Sequence, residues 1–231
     1  MIINNINIKE FGGKVQSKSF SDSPIVKSAT WLLYAPKPLV IGENKGFKSL
    51  NIKILFEGSN RNEINNKISS FMAQVSECDI KFNNLEHYYH CYYESSDREE
   101  SGIDEWLFVN LNFICYEYAE EKTFNVSALE TFTLNNNGTD ITPVIVEITP
   151  NLNMGELEIV GLSDSPILIK NLAQNKKIII DGEEQLITID GSNAFEKYDA
   201  WEYPRLLPGV NKITLSKKNL NLNIIYKERF I

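Results

Sequence analysis

Two histidines and a cysteine fall close together in His87-Tyr-Tyr-His-Cys91, and imidazole and thiolate are the ligands zinc prefers. On a strand, however, His87 and Cys91 face one side and His90 the other. No second cysteine or histidine cluster completes four ligands, so no metal site is expected. The tyrosines around them, Tyr88, Tyr89, Tyr92 and Tyr93, are read instead as cover for the sheet or as aromatics at an interface between subunits. Carboxylates are plentiful, notably Glu99, Glu100, Asp104, Glu105, Glu120, Glu121, Glu183 and Glu184. A glycosidase needs two of them held across a cleft, one in surroundings that raise its pKa. These lie in expected loops, turns and junctions, where solvation is the default. The chain has no Gly-x-Ser-x-Gly elbow, and its only two histidines share one strand, so a nucleophile with a separate base is not expected. Glycine-rich phosphate cradles are absent too, and no cofactor is expected. Trp201 and Tyr203, in Asp199-Ala-Trp-Glu-Tyr-Pro204, have the chemistry to stack on a sugar ring at a sandwich edge or to meet a protein partner.

The wider composition narrows the classes further. A net charge of -8 with a pI near 5.0 argues against a sequence-independent grip on nucleic acid, which needs clustered Lys and Arg to neutralise phosphates. The start, Met1-Ile-Ile-Asn-Asn-Ile-Asn-Ile-Lys-Glu10, has no basic segment followed by an apolar run, and nowhere do about 18 apolar residues run uninterrupted. Neither a secretion signal nor membrane insertion is expected. Cys78, Cys91 and Cys115 are an odd number without a Cys-x-x-Cys pair, and they read as free buried thiols in a reducing compartment.

With 231 residues, 42% hydrophobic and 23% charged, the chain is expected to fold as two domains, residues 1–119 and 120–231. The first reads as strands around one helix of about 59–76. Ile64, Ile68, Phe71, Met72 and Val75 make its buried stripe, Ser59 or Asn60 caps it, and Glu63 holds a capping-box position. Ile52, Ile54 and Phe56 mark a strand before it, and Leu107, Val109, Leu111, Phe113 and Cys115 one after it. The charged stretch Glu94 to Asp104 is expected to be a long, solvated hairpin loop. From about Glu120 short strands alternate with turn signals, the pattern of a β-sandwich. Asp181-Gly182 is expected to be a tight hairpin whose glycine supplies a positive φ.

Within that second half stand Asn137-Gly-Thr139 before Pro143, then Tyr203-Pro-Arg-Leu-Leu-Pro-Gly-Val-Asn-Lys-Ile-Thr214, and Asn223-Ile-Ile-Tyr-Lys-Glu-Arg-Phe230. Together these resemble the siphovirus distal tail protein family, with Lys227 standing where the terminal pattern has its first arginine. The resemblance implies a mainly β protein: an N-terminal sheet or barrel-like ring domain with one α-helix, followed by a C-terminal galectin-like β-sandwich that in many members binds no sugar. It implies a non-enzymatic ring, usually a hexamer of the chain with itself, at the distal end of a phage or phage-like tail assembled in the host cytoplasm. The implied partners are the tail tube protein, the tape measure protein and the tail hub, with receptor-binding proteins as a further class, and DNA passing through the lumen without specific binding. The alternative is a carbohydrate-binding adhesion module that uses the C-terminal sandwich, with Trp201 carrying the binding.

Overall fold

A computed structural model describes the backbone of residues 1–231 and every side chain except those of residues 43 and 44. The chain divides into two compact units, Met1–Glu117 with Ile231, and Tyr118–Phe230.

The first unit is built on one sheet, in the order Ile6–Asn7, Ile2–Ile3, Glu77–Lys81, Tyr88–Glu100, Trp106–Tyr118, Lys48–Glu57 and Gly13–Ser21. Alternation decides its two faces. Leu50, Ile52, Ile54 and Phe56 on one strand and Leu107, Val109, Leu111, Phe113 and Cys115 on its neighbour are all buried, as their spacing requires. The helix Arg61–Met72 covers that face with Ile64, Ile68 and Phe71, whose ring sits 5.5 Å from that of Phe56. Asn60 caps it, its side chain accepting from the Glu63 N–H at 3.0 Å. Glu63 reaches past the capping residue to the Ser59 N–H at 2.8 Å and pairs with Lys67 at 2.6 Å. The Lys67 ammonium, with the Ser59 backbone, holds the Glu63 carboxyl down to about 2.

Two sequence expectations are corrected here. Residues 94–100 belong to the strand Tyr88–Glu100, and only the turn beyond it, ahead of Trp106, is irregular. The charges that suggested a loop lie on the sheet's solvent face and are tied down: Asp97 and Ser95 accept from Asn110 and Asn112 at 2.8 and 2.9 Å, and Glu99 meets Lys53 at 2.7 Å. A polar run on a half-exposed strand is indistinguishable from a loop when its cross-strand partners are unknown. The second correction is Gly182, which does not have positive φ; Gln185 does, at 54°. The connection between Ile178–Asp181 and Leu186–Ile189 is four residues long, started by Asp181, whose carboxylate accepts from the Glu183 and Glu184 N–H groups at 2.9 and 3.0 Å. Glycine is needed at 182 for room: a Cβ there would stand 2.1 Å from the Pro204 carbonyl oxygen and 2.9 Å from that of Val144.

The second unit is a β-sandwich. One sheet runs Lys122–Ser127, Leu220–Tyr226, Thr142–Pro150, Ile178–Asp181, Leu186–Ile189 and Ser192–Asn193, with Arg205–Leu206 beside Thr142–Pro150. The other runs Thr131–Asn136, Gly209–Leu215, Met154–Val160, Ile167–Leu172 and Tyr198–Asp199. Val144, Val146, Ile148, Leu157, Ile159, Ile169, Ile213 and Ile224 fill the space between them.

Candidate functional site

The histidines separate as strand geometry dictates, and each finds carboxylates. His87, one residue ahead of its strand, sits with Nδ1 2.7 Å from Glu117 Oε1, and the other Glu117 oxygen accepts from the Lys48 ammonium. Burial raises the Glu117 pKa, but the bonds from Lys48 and His87 outweigh it and hold the group below the ordinary carboxylate range. On the opposite face His90 lies between Asp79 at 2.9 Å and Glu77 at 3.1 Å, and stacks on Tyr116. The bond to Asp79 raises its pKa against a smaller lowering by burial.

The four tyrosines divide by parity. Tyr89, 5% exposed, belongs to the core, with Phe20 at 4.8 Å and Phe82 at 6.1 Å, and burial pushes its hydroxyl up to about 12. It is therefore not available as a surface aromatic. Tyr93 packs beside the same core, edge-on to Phe113, while Tyr92 stands beside His90 on the solvent face. Tyr88 carries the Lys81 ammonium 4.1 Å over its ring. Cys78 and Cys91 oppose one another across two strands, Cys115 lies on the next, and all three are free and buried. Burial pushes the Cys78 thiol up to about 12, far from a reactive thiolate.

The family-like turns of the second unit form one polar network. The Asn211 amide accepts from the Leu207 N–H at 2.9 Å and donates to the Leu207 and Gly209 carbonyls at 2.8 and 3.0 Å, closing the Pro208-Gly209 turn from inside. Gly209 there adopts φ +90°, which a Cβ would strain. Asn136, 1% exposed, donates to Thr142 Oγ1 and to the Leu207 carbonyl, and accepts from the Gly138 N–H at 3.0 Å. The Asn137-Gly-Thr139 turn grips the end of the chain: the Thr139 and Asp140 N–H groups both donate to the Arg229 carbonyl, and both amides of Asn137 donate to Glu228 Oε1 at 3.0 Å. Buried Glu228 completes its shell with Lys122 at 2.8 Å. Against the burial that opposes it, this shell keeps the Glu228 carboxyl below its usual range.

Sequence reading missed one surface altogether. The strands Ile25–Thr30 and Leu39–Lys45 form a hairpin that, among the described residues, pairs with no other strand. It carries nine exposed large apolar side chains between residues 25 and 41, among them Trp31, Leu33 at 83% and Tyr34 at 95% exposure. The signal was present in Thr30-Trp-Leu-Leu-Tyr-Ala-Pro-Lys-Pro38, an apolar run ended by two prolines, yet such a run reads equally well as core. The two sugar-stacking candidates also part. Trp201 is 97% exposed, whereas Tyr203 turns inward and stacks on Tyr198 at 5.1 Å.

Comparison with known proteins starts from the second unit. Residues 137–230, which contain the whole turn network but for Lys122 and Asn136, match the family model of the siphovirus-type tail component, C-terminal domain. Among solved structures the chain is similar to SPP1 Dit (gp 19.1), described as a paradigm of the hub adsorption apparatus in phages infecting Gram-positive hosts. The TM-score is 0.77 at 14% identity, over 100% of this chain and 98% of that one. A chain of the phage p2 baseplate in its activated conformation with Ca is also similar, with a TM-score of 0.55 at 12% identity over 97% and 94%. No curated protein sequence matches. The expected mainly β fold, with one helix in the first unit and a galectin-like sandwich in the second, is the fold these structures share.

Proposed function

We propose that the chain is a non-enzymatic structural component of a siphovirus-type tail or baseplate. Its first unit closes a homo-oligomeric ring, a hexamer, at the distal end of the tail, between the tail tube and the hub that contacts the host. The family match and the shared fold support the tail component. The observation that supports the ring is the hairpin Ile25–Lys45. Each large apolar side chain taken out of water contributes about 1.5–3 kcal/mol, and nine are exposed on an arm that its own sheet does not cover. An arm that lies on the next copy makes a head-to-tail contact, and head-to-tail contacts that close make rings. The clusters around Glu117 and Glu228 serve the fold: both oxygens of each carboxylate are bonded within it.

Light scattering on the purified chain measures the oligomeric mass, and negative-stain images show whether the particle is hollow. A mass of six chains that falls to one in Leu33→Glu, with an unchanged circular dichroism spectrum, is the expected result. A wild-type chain that stays monomeric at high concentration, alone and with tail tube protein, would sink the ring.

A further inference from the structure

Glu228 holds an amine and an amide side by side. It stands between the strands Leu220–Tyr226 and Arg229–Phe230 with its side chain 4% exposed, and its two oxygens have different partners. Oε2 accepts from the Lys122 ammonium at 2.8 Å, and Oε1 accepts from Asn137 Nδ2 at 3.0 Å. The Asn137 backbone N–H, bonded to the same Oε1 at 3.0 Å, fixes the turn against the carboxylate. The other end of the Asn137 amide is held as well: Oδ1 accepts from Asn135 Nδ2 at 2.7 Å. A primary amine, a carboxamide, a carboxyl group touching both nitrogens and a donor on the amide oxygen are the parts that an amide exchange needs. All four residues lie within the second unit.

We propose that Lys122 and Asn137 join in an intramolecular isopeptide bond, formed by the folded chain itself with Glu228 carrying the protons. The Lys122 ammonium first passes a proton to Glu228 Oε2. Burial, the largest influence on this carboxyl, favours its neutral form, although the bonds from Lys122 and Asn137 hold it low at rest. The freed amine, on a flexible stem that is 44% exposed, closes to about 3–3.5 Å from Asn137 Cγ and attacks it. A C–N bond forms, the amide oxygen takes up negative charge against the Asn135 N–H, and Nδ2 receives the proton from Glu228. The charge then returns from oxygen, the Cγ–Nδ2 bond breaks, and ammonia leaves into water, where Asn137 is exposed. The new amide nitrogen gives its extra proton to that ammonia, and Glu228 ends as it began, a carboxylate. The alternative nucleophile, the Gly138 backbone N–H that would close a succinimide on Asn137, is committed to buried Asn136 Oδ1 at 3.0 Å. The bond links Lys122–Ser127, the edge strand of one sheet, to the turn that ends Thr131–Asn136, the edge strand of the other. It thereby ties the two sheets together and restricts the unfolded chain.

The intact mass of the full-length protein, followed at neutral pH until it no longer changes, reads the bond directly. The expected mass is lower than that of the sequence by one ammonia. Digestion after glutamates should then give one branched peptide, residues 122–130 joined to residues 131–147, and the tryptic cut after Lys122 should disappear. Lys122→Arg, which keeps the ion pair, and Glu228→Gln, which keeps hydrogen bonding but cannot carry the proton, should each return the full mass. Lys122→Arg should also lower the thermal midpoint, and Asn135→Ala should slow the mass loss at least about tenfold without abolishing it. A parent chain that stays at its full mass overturns the proposal, as does a Glu228→Gln chain that links as fast as the parent. Ammonia loss that persists in Lys122→Arg overturns it too, since the product is then a succinimide at Asn137-Gly138.

Discussion

The amide of Asn211 makes three hydrogen bonds to the backbone of its own turn, and that of Asn136 reaches the same Leu207 carbonyl from a strand 71 residues away. Replacing Asn211 with Ala removes the buried amide that the Leu207 N–H and the Leu207 and Gly209 carbonyls share, in a turn otherwise open to water. A loss of about 1–3 kcal/mol in urea unfolding is expected, with the m-value unchanged; a variant as stable as the parent would show that water replaces the amide. Residues of this kind were legible as a pattern and illegible as a mechanism. Pro208-Gly209-Val210-Asn211 announces a turn, but nothing in the sequence pairs Asn137 with Glu228 or places the Pro204 carbonyl against Gly182. The first contact exists only once Leu220–Tyr226 has folded back beside Thr142–Pro150, and the second once Ile178–Asp181 and Arg205–Leu206 have done so. Gly182 makes the same point: its type was expected, but its cause is a close approach to Pro204 and not a positive φ.

Elements were read best where burial is one-sided. The helix stripe and the strand from Trp106 to Tyr118 follow from apolar spacing alone, because each has one face on a core and one on solvent. Periodicity fails in two opposite cases. Residues 94–100 are strand without an apolar face, and the hairpin Ile25–Lys45 has apolar residues without a core beneath them. Limited proteolysis distinguishes these cases. The strand Tyr88–Glu100 should resist cutting, since Asp97, Ser95 and Glu99 are bonded to the neighbouring strand. Cleavage is expected first in the hairpin tip, residues 31–38, and then at the charged joint 119–122. In assembled rings the tip should be protected and the joint should not, whereas in Leu33→Glu the tip should be cut at once. A tip cleaved equally fast in both states would show that the arm does not lie on a neighbour.

At the scale of the assembly, charge decides what a ring could let through. Six copies of a chain at -8 carry -48, and a ring through which DNA leaves must not hold phosphate, because each Lys or Arg contact adds a counterion-release contribution that slows passage. The first unit offers a face suited to such a lumen: the side of its sheet opposite the helix. There Asn110 and Asn112 alternate with bonded Ser95 and Asp97, Lys53 is paired to Glu99, and Glu77 and Asp79 flank His90. Lys48 is removed from that surface altogether, since it opposes Cys115 on the core side and is bonded to Glu117. Lys45 sits at the hairpin's base, opposite Ile25. The lumen of an assembled ring is therefore expected to be polar and net acidic or neutral over the charges within one Debye length of its surface, about 8 Å at physiological salt. Reversing that balance with Asp97→Lys and Glu99→Lys should leave the ring's mass unchanged. The same pair should convert a particle indifferent to DNA into one that retards it in low-salt gels, with the retardation lost as salt rises. If the unaltered ring already binds DNA at low salt, or a continuous basic lining is seen in its structure, the conduit reading fails, whether or not light scattering finds a ring.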